Sequence, residues 1–185
     1  MTSTEEAARA ELQARQGAGA RYDSTAAPAD ALLLARRGTA YFARKLNEVP
    51  DNAFRAPSGQ QGWSRAMIVG YVGFHARALA AVIEGVRTGL QVEFTLPAID
   101  DITRARTLSP AALRHLFHHA AKHLDVEWRD LSDAGWQQSR GGVVIADTPL
   151  ERACTVWHSG VILNPGGQMS DIPEAIRGTS PFANM

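Results

Sequence analysis

The stretch SRAMIVGYVGFHARALAAVIEGVRTG, residues Ser64 to Gly89, predicts a long helix in the core of a helical fold. Its apolar residues recur every three or four positions, which places them on one face of a helix. That stripe, which includes one histidine, is formed by Ile68, Val72, His75, Leu79, Val82 and Val86. Gly70 and Gly73 leave room for a neighbouring helix to approach closely. Gly89 suits the helix C-terminus because glycine readily adopts the left-handed conformation found there.

Three more long helices are predicted on either side of this stretch. The first runs from about Ala29 to Val49, with helical spacing of its apolar residues. The third begins at Ser109 with an N-cap followed by proline and continues to about Leu131. The fourth runs from about Pro149 to Leu163 and begins with a predicted capping box between Thr148 and Glu151. Four long helices joined by long crossover connections predict an all-α four-helix bundle.

The chain divides into an N-terminal extension and one bundle domain. Residues 1–27 are expected to form a flexible or helical extension, and residues 28–185 the bundle. Inside the domain, Leu90 to Leu108 is expected to be a long connection. The segment GGVVIAD, residues 141–147, is either a short strand or an extended linker. A short C-terminal helix is predicted to begin at the sequence Asp171-Ile172-Pro173-Glu174.

The composition favours a cytoplasmic protein that binds neither nucleic acid nor membranes. The chain has 185 residues, 45% of them hydrophobic, which is enough for one domain with a core. Its 19 basic and 19 acidic side chains cancel, so it lacks the net positive charge typical of nucleic-acid binding. The single cysteine, Cys154, excludes an internal disulfide and fits a reducing compartment. Charged residues such as Arg77 and Glu84 interrupt the longest apolar stretch, which argues against a membrane span.

Three stretches resemble one known family. They are GWSRAMIVGYVGFHARAL at residues 62–79, LSPAALRHLFHHAAKHLDVEWRDL at 108–131 and VWHSGVILNPGGQMSDIPEAI at 156–176. Together they resemble the metal-binding N-terminal domain of the mycothiol-dependent maleylpyruvate isomerases, which belong to the DinB-like superfamily. The likeness covers roughly Ala35 to Ile176. It implies a DinB-like four-helix bundle whose metal, usually zinc, binds and deprotonates a thiol.

The same resemblance implies three metal ligands that this chain does not have. The family supplies a histidine from helix two, and a glutamate and a histidine four residues apart on the last bundle helix. Aligned without gaps, these positions hold Tyr71, Thr155 and Ser159. We therefore expect no bound metal and no cofactor, although zinc and mycothiol are those of the family. A displaced set of ligands is left open as an alternative: His75, His158 and Glu151.

Hydroxyl groups in place of metal ligands predict a metal-independent enzyme. We expect it to catalyse isomerisation, cyclisation, elimination or addition on a small organic substrate, as an isomerase, lyase or transferase would. The predicted catalytic residues are Tyr71, His75 and His158. The predicted substrate-binding residues are Thr155, Ser159 and Trp157. The alternatives are a non-catalytic bundle that binds a small molecule or a protein, and a thiol-dependent maleylpyruvate-type isomerase with an atypical metal site.

Two further expectations concern the remaining histidines and the end of the chain. His115, His119 and His123 recur every four residues but are expected on a solvent-exposed helix face rather than in a metal site. The family's isomerases carry a second domain after the bundle, and this chain ends at Met185, so we expect that domain to be missing. Apolar surface left exposed there would favour a homodimer.

Overall fold

The computed structural model describes residues 24–163 and 167–182, and the predicted extension up to residue 23 lies outside them. The four predicted long helices are present as α1 (Ala29–Asn47), α2 (Arg65–Thr88), α4 (Pro110–Arg129) and α6 (Thr148–Leu163). Three short helices are α3 (Ile99–Arg104), α5 (Asp133–Trp136) and α7 (Glu174–Arg177). The only strands in the described ranges are β1 (Ser139–Arg140) and β2 (Val143–Val144). The all-α bundle with a short C-terminal helix is confirmed.

Helix α2 begins and ends where the sequence predicts. The Ser64 hydroxyl accepts a hydrogen bond from the Met67 amide at 3.4 Å, and Gly89 adopts a left-handed conformation with φ of 81°. By length and apolar composition α2 could cross a membrane, but 78% of its most apolar window is buried inside the protein. Its apolar side chains therefore find their partners within the bundle, as in a core helix.

Two glycines allow α1 and α6 to pack closely against each other. A Cβ atom added to Gly38 would lie 2.5 Å from Cγ2 of Val156, and one added to Gly160 would lie 2.5 Å from Cε1 of Tyr41. Neither distance is sterically possible, so each site accepts only glycine at this spacing of the helices. This contact positions the last long helix, which carries most of the candidate site.

The connections are more ordered than the sequence predicts. The crossover from α2 to α4 contains α3 and a 3-10 turn at Ala105–Thr107, because Ile102 and Ala105 are buried against the bundle. The segment 141–147 supplies the antiparallel strand β2, in which Val144 pairs with Ser139. It then forms a 3-10 turn at Ile145–Asp147 that leads directly into α6.

The predicted capping box at the start of α6 is wrong. The Thr148 amide donates to the carbonyl of Ile145, since the preceding 3-10 turn already provides an acceptor. The Thr148 hydroxyl also donates to that carbonyl, at 2.7 Å, and accepts from Nε1 of Trp128 at 3.0 Å. The Glu151 carboxylate instead extends towards α2, where it reaches His75.

We expect Gly38→Ala to destabilise the protein, although alanine favours helices by about 1 kcal/mol over glycine. The added methyl group must displace Val156 and Trp157, and overpacking of a core costs about 1–3 kcal/mol. A net loss of about 1–2 kcal/mol should appear as a lower urea midpoint. The control is Gly178→Ala, where φ is −79° and no atom lies near the added Cβ. An unchanged midpoint for Gly38→Ala would contradict the tight α1–α6 contact.

Candidate functional site

A cavity of about 520 Å³ lies between α2, α6, α7 and the crossover that follows α2. Its wall is mainly apolar, with Leu96, Leu150 and Ile176 among the residues that line it. Its polar end is formed by Tyr71, His75, Glu151 and Thr155, which lie close to one another, and Asp147 also lines the cavity. A mostly apolar cavity with a few convergent polar groups is the usual form of a small-molecule site.

His75 lies at the polar end and is 1% exposed. Its Nε2 is 3.2 Å from Oε1 of Glu151 and 3.5 Å from the Thr155 hydroxyl, whereas Nδ1 has no hydrogen-bond partner in the described part of the chain. Burial lowers the pKa of His75, the Glu151 hydrogen bond opposes that effect, and the positive charge of Arg152 adds to it. The ring is therefore neutral at pH 7. Because a carboxylate can only accept, the proton of this neutral ring lies on Nε2 and is donated to Glu151.

Glu151 was predicted to form a capping box with Thr148, but in the structure its side chain belongs to this site. Its side chain is 36% exposed and reaches both the cavity and His75. It lies four residues after Asp147 and four before Thr155, so all three side chains project from one face of the helical turns that begin α6. This spacing is visible in the sequence. The displaced metal set left open above already grouped Glu151 with His75, but their direct contact without a metal was not predicted.

Tyr71 and Thr155 place two hydroxyl groups beside the His75–Glu151 pair. The Thr155 hydroxyl donates to the backbone carbonyl of Glu151 at 3.1 Å. Its lone pairs can therefore accept from Nε2 of His75, which is 3.5 Å away. Burial raises the pKa of Tyr71 to about 12, so the phenol is neutral and can act as a hydrogen-bond donor at physiological pH.

Comparison with known proteins identifies the family. The sequence profile described as "Mycothiol maleylpyruvate isomerase N-terminal domain" matches residues 35–158, which is more than half of the chain. The chain belongs to this family. Two crystal structures of the mycothiol-dependent maleylpyruvate isomerase, one of them a histidine-to-alanine mutant, are 31% identical to it in sequence. The TM-scores are 0.74 for the mutant and 0.72 for the other structure.

Both alignments cover 80% of this chain and 65% of the isomerase, so the chain spans less than two thirds of that enzyme's length. A comparison with curated protein sequences found no match. The predicted relationship to the N-terminal domain of these isomerases and the DinB-like fold are both confirmed.

At the three positions where the resemblance places the family's metal ligands, this chain has hydroxyl side chains, which do not fit the metal site that the family implies. Two of them, Tyr71 and Thr155, meet at the cavity. Ser159 is fully buried, and its hydroxyl has no hydrogen-bond partner among residues 24–163 and 167–182. Neutral hydroxyls are weak zinc ligands beside the imidazole and carboxylate groups that such sites use. The described residues contain no group of three or more His, Cys, Asp or Glu side chains arranged to hold a metal ion.

His158 lies apart from the polar end of the cavity. Its Nδ1 is 2.9 Å from the carbonyl of Cys154, and its Nε2 is 3.4 Å from the carbonyl of Arg177 at the end of α7. Both ring nitrogens therefore face backbone carbonyls, and the C-terminal segment covers the ring. The displaced ligand set of His75, His158 and Glu151 is not assembled.

Trp157 faces α1 rather than the cavity. Its indole stacks on Tyr41 with ring centroids 4.8 Å apart, and its Nε1 donates to the carbonyl of Leu34 at 3.1 Å. Of the six predicted site residues, the structure thus brings together Tyr71, His75 and Thr155. It does not bring His158, Trp157 or Ser159 to the cavity lining.

We expect His75 to make stability depend on pH. Its pKa is lowered in the folded protein from the ordinary value of 6.5, so the unfolded chain binds more protons in the window between the two values. The free energy of unfolding should therefore fall as the pH drops below about 6.5. His75→Gln, which cannot take up a proton, should remove this part of the slope in urea unfolding measured across that window. His115→Gln, on the exposed face of α4, is the matched control.

If wild-type protein and His75→Gln lose stability in parallel between neutral and mildly acidic pH, the buried neutral state of His75 is contradicted. If His115→Gln changes the pH dependence of the free energy of unfolding as much as His75→Gln does, the buried neutral state of His75 is likewise contradicted.

Proposed function

We propose that this chain is an isomerase-like enzyme that moves a proton on a small organic substrate bound in the cavity, with Glu151 as the base. The observation that carries this proposal is the 3.2 Å contact between Oε1 of Glu151 and Nε2 of His75 at the polar end of the cavity. Membership of the maleylpyruvate isomerase family supports the same class of reaction. A volume of about 520 Å³ is adequate for a small organic acid.

Glu151 is better suited than His75 to remove the proton. The lone pair of the neutral His75 ring is on Nδ1, which is buried and has no access to the cavity. Nε2 carries a proton and can only donate it as a hydrogen bond. The Glu151 carboxylate is partly exposed to the cavity and is oriented by that hydrogen bond. His75 therefore acts as a partner that holds the carboxylate in place.

The reaction is a transfer of one proton between two carbons of the substrate. Glu151 removes a proton from the carbon beside a carbonyl group, and the electron pair moves onto the carbonyl oxygen to form an enolate. The resulting carboxylic acid returns a proton to another carbon of the conjugated system, so that a double bond moves. Atoms and charge balance, and no further reactant is consumed.

Tyr71 is placed to stabilise the enolate oxygen. Its phenol stays protonated because burial raises its pKa to about 12, and it can therefore donate to an oxygen on which negative charge develops. No step is assigned to zinc, because Tyr71, Thr155 and Ser159 do not fit the family's ligand set. This metal independence is part of the proposal.

The other expectations about the protein's setting stay predictions. A small-molecule substrate is supported by the family relationship. A soluble, cytoplasmic protein is supported by the burial of α2 inside the bundle and by the single, unpaired cysteine. The homodimer and the lack of nucleic-acid and membrane partners are likewise part of what we propose.

We expect Glu151→Gln to lower turnover by about 100-fold or more, since general bases contribute about 10²–10⁴-fold. Glutamine keeps the size of the side chain and can still contact His75 but cannot take up the proton. Conversion of maleylpyruvate, with and without mycothiol, can be followed by ultraviolet absorbance. Uptake of deuterium from D₂O into related unsaturated 2-oxo acids, measured by NMR, detects proton removal even if the true product differs.

The matched control is Glu174→Gln, an exposed carboxylate on α7 that does not line the cavity. Tyr71→Phe should lower turnover less than Glu151→Gln, because it removes one donor and not the base. Full activity of Glu151→Gln would overturn the proposal, and so would a wild-type protein that neither converts nor exchanges protons on any of these acids. Turnover that requires added zinc and mycothiol and survives Glu151→Gln would point to the metal-dependent chemistry of the family.

A further inference from the structure

Arg152 is a buried cation without an acidic partner in the part of the chain that the structure describes. It is 1% exposed, and its Nη1 donates to the backbone carbonyl of Val72 at 2.7 Å. Its Nη2 has no hydrogen-bond partner, and no carboxylate forms a salt bridge with it, within the described ranges 24–163 and 167–182. Burial lowers the pKa of Arg152 to about 9, so the guanidinium still carries its charge at neutral pH.

An arrangement of this kind is energetically costly. Moving a charged group out of water costs several kcal/mol even after the surroundings relax, and proteins normally offset that cost with a partner of opposite charge. A single backbone carbonyl satisfies one of the five N–H donors of a guanidinium. The group therefore has capacity for a negatively charged partner that this chain does not provide in its described part.

Arg152 lines a second cavity, of about 270 Å³, between α1, α4 and α6. No residue that lines it also lines the larger cavity, so the two are separate. The second cavity is also lined by Arg36, Lys122 and Asp125. Arg36 pairs with Asp125 at 3.0 Å, and this neutralises the one acidic residue of the lining. Arg152 and Lys122 remain as positive charges without a counter-charge among residues 24–163 and 167–182, and the Thr39 hydroxyl adds a further donor.

We infer that this second cavity binds a small anion, a carboxylate or a phosphate group, whose negative charge pairs with Arg152. A planar guanidinium can donate two parallel hydrogen bonds to either group, which gives the inner wall of the cavity a preference for oxyanions over chloride. Lys122 is exposed on α4 and adds a positive charge at the outer edge. The volume of the cavity admits such a group with a few attached carbon atoms.

The anion site does not depend on the proposed catalytic role of Glu151. The two cavities are nevertheless electrically linked, because the charge of Arg152 also acts on His75 and Tyr71, whose pKa values it helps to lower. An anion next to Arg152 would weaken that field at the larger cavity.

The test is titration of the protein with sodium phosphate and, separately, with sodium acetate, against sodium chloride at equal ionic strength. We expect saturable binding in calorimetry and a rise in melting temperature that follows the logarithm of anion concentration, as ligand linkage requires. Either oxyanion binding saturably supports the site, and the tighter of the two identifies the group it prefers. If neither phosphate nor acetate binds more tightly than chloride, the proposed anion site is overturned.

Two variants connect the binding to this cavity. Arg152→Met, which keeps an unbranched side chain but removes the charge, should weaken the affinity by about tenfold or more, since hydrogen bonds to charged groups contribute about 1.5–3 kcal/mol. Lys122→Glu reverses the charge of an exposed side chain, so folding should be unaffected, and it should weaken binding by a factor of about three to ten.

The matched control is Arg37→Ala, an exposed arginine on α1 that does not line the cavity, and its affinity should equal that of the wild type. If Arg152→Met fails to fold, Lys122→Glu still decides the outcome. Unchanged affinity in Lys122→Glu, or an equal loss in Arg37→Ala, would show general attraction of anions to the surface and would overturn the site.

Discussion

The burial of α6 on almost every side is the constraint on which the rest of the structure depends. Most of its residues are buried, including the polar side chains of Arg152, Thr155, His158 and Ser159. A helix in this position cannot turn its polar groups to solvent, so each of them must be satisfied inside the bundle or remain unpaired at an energetic cost. The glycine contacts with α1 hold α6 in that position. Both cavities and the His75–Glu151 pair follow from where its polar side chains then point.

The long helices could be predicted because their signals are local. The N-cap at Ser64, the left-handed Gly89 and the helical spacing between them lie within one segment, and tertiary packing reinforces them. The partner of Glu151 could not be predicted in this way. Thr148 and Glu151 have the sequence of a capping box, but the 3-10 turn before α6 satisfies the Thr148 amide, which leaves the carboxylate available to α2. The capping-box prediction failed because the preceding 3-10 turn already supplies a hydrogen-bond acceptor for the Thr148 amide.

The family resemblance located Tyr71 and Thr155, and helical spacing from Tyr71 located His75. The positions of His158, Trp157 and Ser159 depended on packing that neither signal reveals. Tyr71 and His75 are one turn apart on α2, so a cavity beside one is beside both. His158 is seven residues after Glu151 and so lies on nearly the same face of α6, about 10 Å further along. It is excluded from the polar end of the cavity because the segment ending at Arg177 covers it. The sequence does not show where the C-terminal segment lies. It therefore could not show that His158 contacts that segment and not the cavity.

The adjacent residues Glu151 and Arg152 show how one buried helix can give two cavities opposite character. Successive side chains on a helix point about 100° apart, and Glu151 accordingly lines the larger cavity and Arg152 the smaller one. Side chains one position apart on a helix do not face each other, so these two opposite charges do not pair. Arg152 consequently has no counter-ion in the described part of the chain, while Glu151 contacts a neutral histidine, and each retains the capacity to act on a ligand.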